Sequence, residues 1–363
     1  VCYVVLGRAK RQSRAVAEPH EVWPLHGHAR PFHMAAGEPG LYIGENVTTN
    51  GITLKDGSLE CSAEETLVLT NKGKYEFLIN GKKTTNIVSE GNGAITVKGL
   101  LDADNNNAII TEIGTITAKG TGAVSVENVK DVKIADGGAK QAGAITINNV
   151  EEVSSFQVTS NANHNAEIKI TKVTTNGVGD FDYAGKAAVT IDDVIGNSAT
   201  DINCTNAAAT GDLKVTNIKT AKDEDTTPAT IASINYVGTG NVTVTGVENN
   251  EHLWPVVTAT TISTTTAHKA SAVTFTDVTI GTSLDKQSTG ALTITGVHDA
   301  FGGITNYDGA ISITGNNVAS ADIASITQKG TGIVTLKEIS NSVNTNGTPN
   351  TPGEVTSLVV EKA

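Results

Sequence analysis

The chain has 363 residues, of which 38% are hydrophobic, only 4% aromatic and 18% charged, with 37 Gly and 8 Pro. Abundant Thr, Asn, Gly, Val and Ile disfavour a coiled coil or helical bundle, and no run approaches the ~20 apolar residues of a membrane-spanning helix, so an integral membrane protein of that kind is not expected. The formal net charge of -12 speaks against a nucleic-acid partner, whose binding rests on Lys and Arg neutralising phosphates.

Residues 1–33 have a composition of their own. All four arginines, Arg8, Arg11, Arg14 and Arg30, precede Met34, as do His20, His26, His28 and His33. Val4, Val5 and Leu6 come before the basic cluster and are too few for a signal-peptide core. This stretch reads as a disordered or non-native leader, outside the fold. Its histidines lie in a Pro-broken segment with no rigid element to hold a metal. Beyond it, 21 lysines face 36 acidic residues, a net of -15.

Residues 34–92 read as an N-terminal cap and first rungs, with Tyr75, Phe77 and Ile79 alternating as in a strand. An uncapped coil edge would recruit other chains, which is the physical reason to expect a cap here.

From residue 93 onward a short motif recurs. Eleven copies start at Gly93, Gly122, Gly143, Ala166, Ala187, Gly211, Gly240, Ser271, Gly290, Gly309 and Gly332, as in Gly143-Ala-Ile-Thr-Ile and Gly290-Ala-Leu-Thr-Ile. Their average spacing of about 24 residues lies in the range of solenoid repeats. Offsets two and four are apolar with Thr, Ser or Lys between them, the period of a strand with one buried face. Offset six is Gly, Asn or Asp in nine copies: Gly99, Asn128, Asn149, Asp193, Asn217, Gly246, Asp277, Gly296 and Gly315. These residues best tolerate a left-handed backbone, so a corner is expected there. Offset seven is apolar again, for example Val129, Val173, Val194, Val247 and Val297, and is expected to point inward. A longer unit recurs as well: Ile113 and Ile116, Ile231 and Ile234, and Ile323 and Ile326 each precede Gly-Thr-Gly at the same distance.

These patterns predict an all-β fold, a single-stranded parallel β-helix or β-solenoid over residues 93–363. About a dozen rungs of roughly 19–31 residues are expected, with a right-handed sense.

Chemistry on this frame is sparse. Asp192 and Asp193 are the one adjacent Asp pair, at offsets five and six, where one faces solvent and the other takes a corner. Polysaccharide hydrolysis needs carboxylates that flank a sugar bond, and no catalytic residue is assigned. Asp102, Asp104 and Asn106 have the one, three, five spacing of a calcium loop, but Asn107 stands where Gly is usual and Glu112 misses the twelfth position by one. Calcium is the one cofactor considered. Cys61 and Cys204 lie too far along a rising coil to bond and are expected as buried free thiols. His164, His252, His268 and His298 are scattered with no nucleophile elbow.

One array stands out. Offsets three and five place Thr243 and Thr245, Thr274 and Thr276, Thr293 and Thr295, then Ser312 and Thr314 outward on four successive rungs, the surface-binding candidates. Rung spacings of 31 and 29 residues are expected to disturb the regularity of this array.

In repeat style, with its Thr, Asn and Gly decoration, the chain over residues 41 to 363 resembles bacterial surface solenoids such as filamentous adhesins and surface-layer repeat regions. The resemblance implies an extracellular or cell-surface location and a role in attachment or lattice assembly, with a surface glycan or another surface protein as partner and self-association as a further mode. The Thr-x-Thr columns are similar to those of ice-binding solenoids, the alternative reading. A β-helix polysaccharide-degrading enzyme is the second alternative. Pectate lyases would be expected to supply an arginine base, which the chain beyond Met34 lacks.

Overall fold

The structure, a computed structural model, describes residues 41–43, 49–54, 59–61, 67–71, 77–79, 83–89, 95–98, 109, 112–118, 121–130, 133–136, 143–151, 157–160, 162, 164–175, 179–196, 200–220, 227–249, 253–262, 271–297, 299–315, 321–339 and 355–361. The chain divides into two units, Val1–Glu151 and Glu152–Ala363. Both are all-β and built of parallel strands, and no helix occurs among the described residues.

Unit 1 contains β1 (Leu41–Ile43), β2 (Thr49–Leu54), β3 (Leu59–Cys61), β4 (Leu67–Asn71), β5 (Phe77–Ile79), β6 (Lys83–Ser89), β7 (Ile95–Lys98), β8 (Glu112–Ala118), β9 (Val124–Val129), β10 (Lys133–Asp136) and β11 (Ile145–Val150). Odd-numbered strands pair only with odd ones and even with even, so successive strands alternate between two sheets. That is the course of a coil.

Unit 2 repeats the scheme with β12 (Gln157–Ser160), β13 (Ile168–Thr175), β14 (Gly179–Tyr183), β15 (Val189–Gly196), β16 (Thr200–Cys204), β17 (Leu213–Ile218), β18 (Thr230–Tyr236), β19 (Val242–Gly246), β20 (Val256–Ile262), β21 (Val273–Thr276), β22 (Thr279–Lys286), β23 (Leu292–Val297), β24 (Asp299–Asn306), β25 (Ile311–Gly315), β26 (Ala321–Gln328), β27 (Val334–Lys337) and β28 (Leu358–Val360).

The eleven motif copies coincide with the odd strands from β7 to β27. The expected count of about a dozen rungs is off, because β1, β3 and β5 precede those eleven. The recurring Ile pairs, such as Ile231 with Ile234 and Ile323 with Ile326, belong to the even strands β18 and β26 and are buried. Their three-residue separation fits a strand that bends: in β18, Ala232 and Ser233 both face outward between the two buried isoleucines.

Stacking in register makes columns. Leu213, Val242, Val273, Leu292 and Ile311 lie one above another, as do Val215, Val244, Phe275, Ile294 and Ile313, and each is at most 1% exposed. Ile145 and Ile147 of unit 1 are likewise fully buried. A β-branched or branched side chain sits well on its like in the next rung, which explains why Val and Ile recur at these offsets.

The corner expectation holds at offset six. Asn128, Asn149, Asp193, Asn217, Asp277 and Gly296 have φ of 55, 56, 59, 54, 55 and 73°, and Lys172 and Glu338, which break the Gly/Asn/Asp pattern, adopt φ of 54 and 55° as well. Two expected positions are corrected. Gly246 and Gly315 do not take a positive φ. They sit at register shifts, where a Cβ would collide with the Asp277 carbonyl and Pro255 ring, or with the Glu338 carbonyl. Gly99 lies outside the described residues. At offset seven Val129, Val173 and Val297 are buried, but Val247 is 41% exposed and Val194 only half-buried.

One inward position is polar without need. Thr260 stands in the column of Ile234 and Leu284, 1% exposed, and its hydroxyl has no hydrogen-bond partner among the described residues. Such a group costs about 1–3 kcal/mol. Thr260→Val should therefore raise stability by about 1 kcal/mol or more, read as a higher urea midpoint with unchanged slope; a lower midpoint would mean that the hydroxyl is bonded. Truncating a stacked aliphatic acts in the opposite direction. Ile294→Ala should cost about 2–5 kcal/mol and its outward neighbour Thr293→Ala under about 1 kcal/mol. Equal losses for the two would invert the assigned faces.

Candidate functional site

The hydroxyl face is assembled as the repeat implies. Thr243, Thr274, Thr293 and Ser312 are direct register partners along β19, β21, β23 and β25, and Thr245, Thr276, Thr295 and Thr314 form the second column. All eight are partly exposed. Adjacent rungs of a parallel sheet lie about 4.8 Å apart and the two columns, two residues apart on each strand, about 6.6 Å. The expected disturbance from the long rungs is absent on this face. Differences in rung length fall outside the strands, and no register shift occurs between Thr243 and Ser312 or between Thr245 and Thr314.

Neighbouring side chains and main chain fix some of these hydroxyls. Thr295 Oγ1 donates to Thr276 Oγ1 at 3.1 Å, and Thr245 Oγ1 accepts from the Asn217 main-chain N–H at 3.1 Å. The first column continues to Lys214 on one side and Thr335 on the other, and the second ends at Lys337. Lysines thus flank an uncharged field of hydroxyl and methyl groups.

The aspartate pair is used structurally. Asp192 Oδ1 accepts from Thr216 Oγ1 at 2.7 Å and from Asn217 Nδ2 at 2.8 Å, both on the next rung. Asp193 holds the left-handed corner and pairs with Lys219 at 2.5 Å. Asp102, Asp104 and Asn106 lie outside the described residues. Among the described residues no three His, Cys, Asp or Glu side chains gather as a metal site would require. Cys204 is a buried free thiol; the side chain of Cys61 lies outside what is described. His164 is buried and packs edge-on against Tyr183, ring centroids 5.9 Å apart. His252, His268 and His298 lie outside the described residues.

A second constellation was not anticipated. The last inward residues of the even strands form a column from Tyr183 through Cys204, Tyr236, Ile262, Lys286 and Asn306 to Gln328. Each polar member reaches into the corner that follows and binds main chain there. Tyr183 Oη accepts from the Ala187 N–H at 2.7 Å; Tyr236 Oη accepts from Gly240 N–H at 2.7 Å and donates to the Gly211 carbonyl at 2.8 Å. Lys286 Nζ donates to the Ser288 carbonyl at 2.7 Å, to Asn306 Oδ1 at 2.9 Å and to the Asp308 carbonyl at 2.9 Å. Asn306 Nδ2 donates to Gly309 O and to Gln328 Oε1, and Gln328 Nε2 to Gly309 O and Gly332 O. Lys286, Asn306 and Gln328 are fully buried. Some corner peptide groups bond to the neighbouring rung, as the Thr239 N–H does to the Ala209 carbonyl, and a long polar side chain from inside satisfies others. The sequence did carry a signal: a long polar residue at inward parity, two to four residues before a glycine, as in Tyr236-Val-Gly and Gln328-Lys-Gly.

Burial sets the titration of this column. It pushes the Cys204 thiol up to about 12 and the Tyr236 phenol up to about 12, and it raises Tyr183 further, partly opposed by the Ala187 N–H. It pushes the Lys286 ammonium down to about 8, opposed by the Asp308 carboxylate.

No family model matches this chain, and neither a curated protein nor a solved structure does.

The pH dependence follows from those shifts. Cys204, Tyr183 and Tyr236 keep their protons in the folded chain where the unfolded chain has lost them, so their contribution is whole below the unfolded values of 9.0 and 10.0 and is lost as pH rises beyond them. A free Lys286, lowered from 10.5, acts with the opposite sign between about 8 and 10.5, one group against three. The urea midpoint should fall between about pH 10 and about pH 11.5, less steeply in Cys204→Ala. A midpoint that holds across that range would show that the three acids ionise as freely folded as unfolded.

Proposed function

We propose that this chain is an extracellular or cell-surface structural solenoid that mediates attachment or surface-layer assembly through the hydroxyl face of unit 2. The observation that carries the reading is the undistorted register of the two Thr columns over four rungs, laid on columns of fully buried aliphatic side chains. A rigid backing fixes the position of each hydroxyl, so a repetitive partner meets many weak contacts at once and avidity takes the place of a deep pocket. The style of the repeat, similar to filamentous adhesins and surface-layer regions, supports a surface glycan or a surface protein as that partner. Self-association through the same face belongs to this reading.

The test is retention of the full chain on a glycan array and on insoluble bacterial cell walls. A variant carrying Thr243→Ala, Thr274→Ala, Thr293→Ala and Ser312→Ala should bind about tenfold or more weakly while unfolding at a midpoint close to that of the unaltered chain. Unchanged retention would remove the face from the binding function.

The same register favours an ice-binding role as second reading, since loop length does not disturb the array. Its measurement is thermal hysteresis, present in the unaltered chain and lost in the same variant. Polysaccharide cleavage has less support, because Asp192 and Asp193 are engaged in rung-to-rung bonds and a corner.

A further inference from the structure

We propose that Lys286 and Asn306 become joined by an amide bond between Nζ and Cγ, a covalent staple across two rungs of unit 2. The two residues are direct register partners on β22 and β24, and neither has any exposed surface. Nζ already donates to Asn306 Oδ1 at 2.9 Å, which holds the nitrogen beside the carboxamide it would attack. The orientation of the carboxamide is fixed, because Nδ2 is held by the Gly309 carbonyl at 2.9 Å and by Gln328 Oε1 at 2.7 Å. Two such groups held in contact react as an intramolecular pair, with an effective concentration far above any in solution.

The step balances without a co-reactant. The ammonium gives up one proton, and the lone pair so exposed on Nζ attacks Cγ. The bond from Cγ to Nδ2 then breaks, and that nitrogen takes one proton from Nζ and leaves as ammonia, which carries away the proton first released as ammonium. One positive charge enters and one leaves, and nothing is oxidised or reduced.

Desolvation readies the nucleophile, as it does for buried lysines in general. With Lys286 lowered to about 8, about one amine in ten is neutral at pH 7. The charged side chain that bears on it is Asp308 in the corner. Exclusion of water also removes the competing hydrolysis of the product. The staple is independent of what the Thr face binds.

Intact mass of the purified full chain should lie below the value calculated from its sequence by one ammonia. Trypsin should fail to cut after Lys286, and a branched peptide containing Lys286 and Asn306 should be found by fragmentation. Lys286→Arg and Asn306→Ala should each restore their calculated masses, whether or not they fold well. A second readout is the rise in stability that a free Lys286 gives between about pH 8 and about pH 9, which the stapled chain should lack. An unmodified mass, both in fresh protein and after incubation at about pH 9 where the amine is neutral, overturns the proposal. So does an ammonia loss that maps to any other residue.

Discussion

A parallel ladder in which each rung repeats the one below it is the constraint on which unit 2 depends. Partners in such a sheet lie about 4.8 Å apart, so whatever stands at one offset meets its counterpart directly. For Val and Ile this is close packing on both sides, and the columns through Leu292 and Ile294 are at most 1% exposed from Leu213 and Val215 to Ile311 and Ile313. For any residue with a polar atom it is severe, because the neighbours above and below are of the same kind and water is excluded. The inner columns are therefore apolar almost throughout, and their exceptions call for a local explanation.

The corners supply that explanation. Where the chain leaves an even strand, some of its peptide groups turn out of the ladder, as those of Gly240 and Gly332 do to meet side chains from inside. The column from Tyr183 to Gln328 meets them with phenol, ammonium and carboxamide groups of differing length, each matched to its own corner. Tyr236 bridges two corners by accepting from Gly240 and donating to Gly211. Before it is joined to Asn306, the Lys286 ammonium is tolerated in the interior because three oxygens take its three protons. Breaking one of those contacts would leave a charge uncompensated, which is why such a network is kept whole or not at all.

Much of this was legible because offsets repeat. The strand motif located every odd strand from β7 onward, and offset six located corners, since a left-handed residue declares itself through Asn, Asp or Gly. Lys172 and Glu338 show the limit of that signal: stacking forces the same φ on residues whose own preference opposes it. The reverse occurs at Gly246 and Gly315, where glycine answers a close approach of backbone and not a dihedral. Even strands were harder to read, because their bend places two outward residues in succession and breaks the period of two. The polar corner is masked in the sequence for a related reason. Its members differ in chemistry, Tyr, Lys, Asn and Gln, and share only a position that becomes visible once the bend is counted.

The hydroxyl face depends on the same separation of strand from connection. Lengthening a loop costs little in closure entropy, whereas slipping a strand by one residue would turn its entire apolar set to solvent. Variation in rung length is thereby driven into the connections, and β19, β21, β23 and β25 keep their register despite it. The regular register of the outer face is a consequence of burial on the inner one. Thr243 and its neighbours are free to be chosen for what they touch outside, because Val242, Val244 and their columns already determine where those side chains stand.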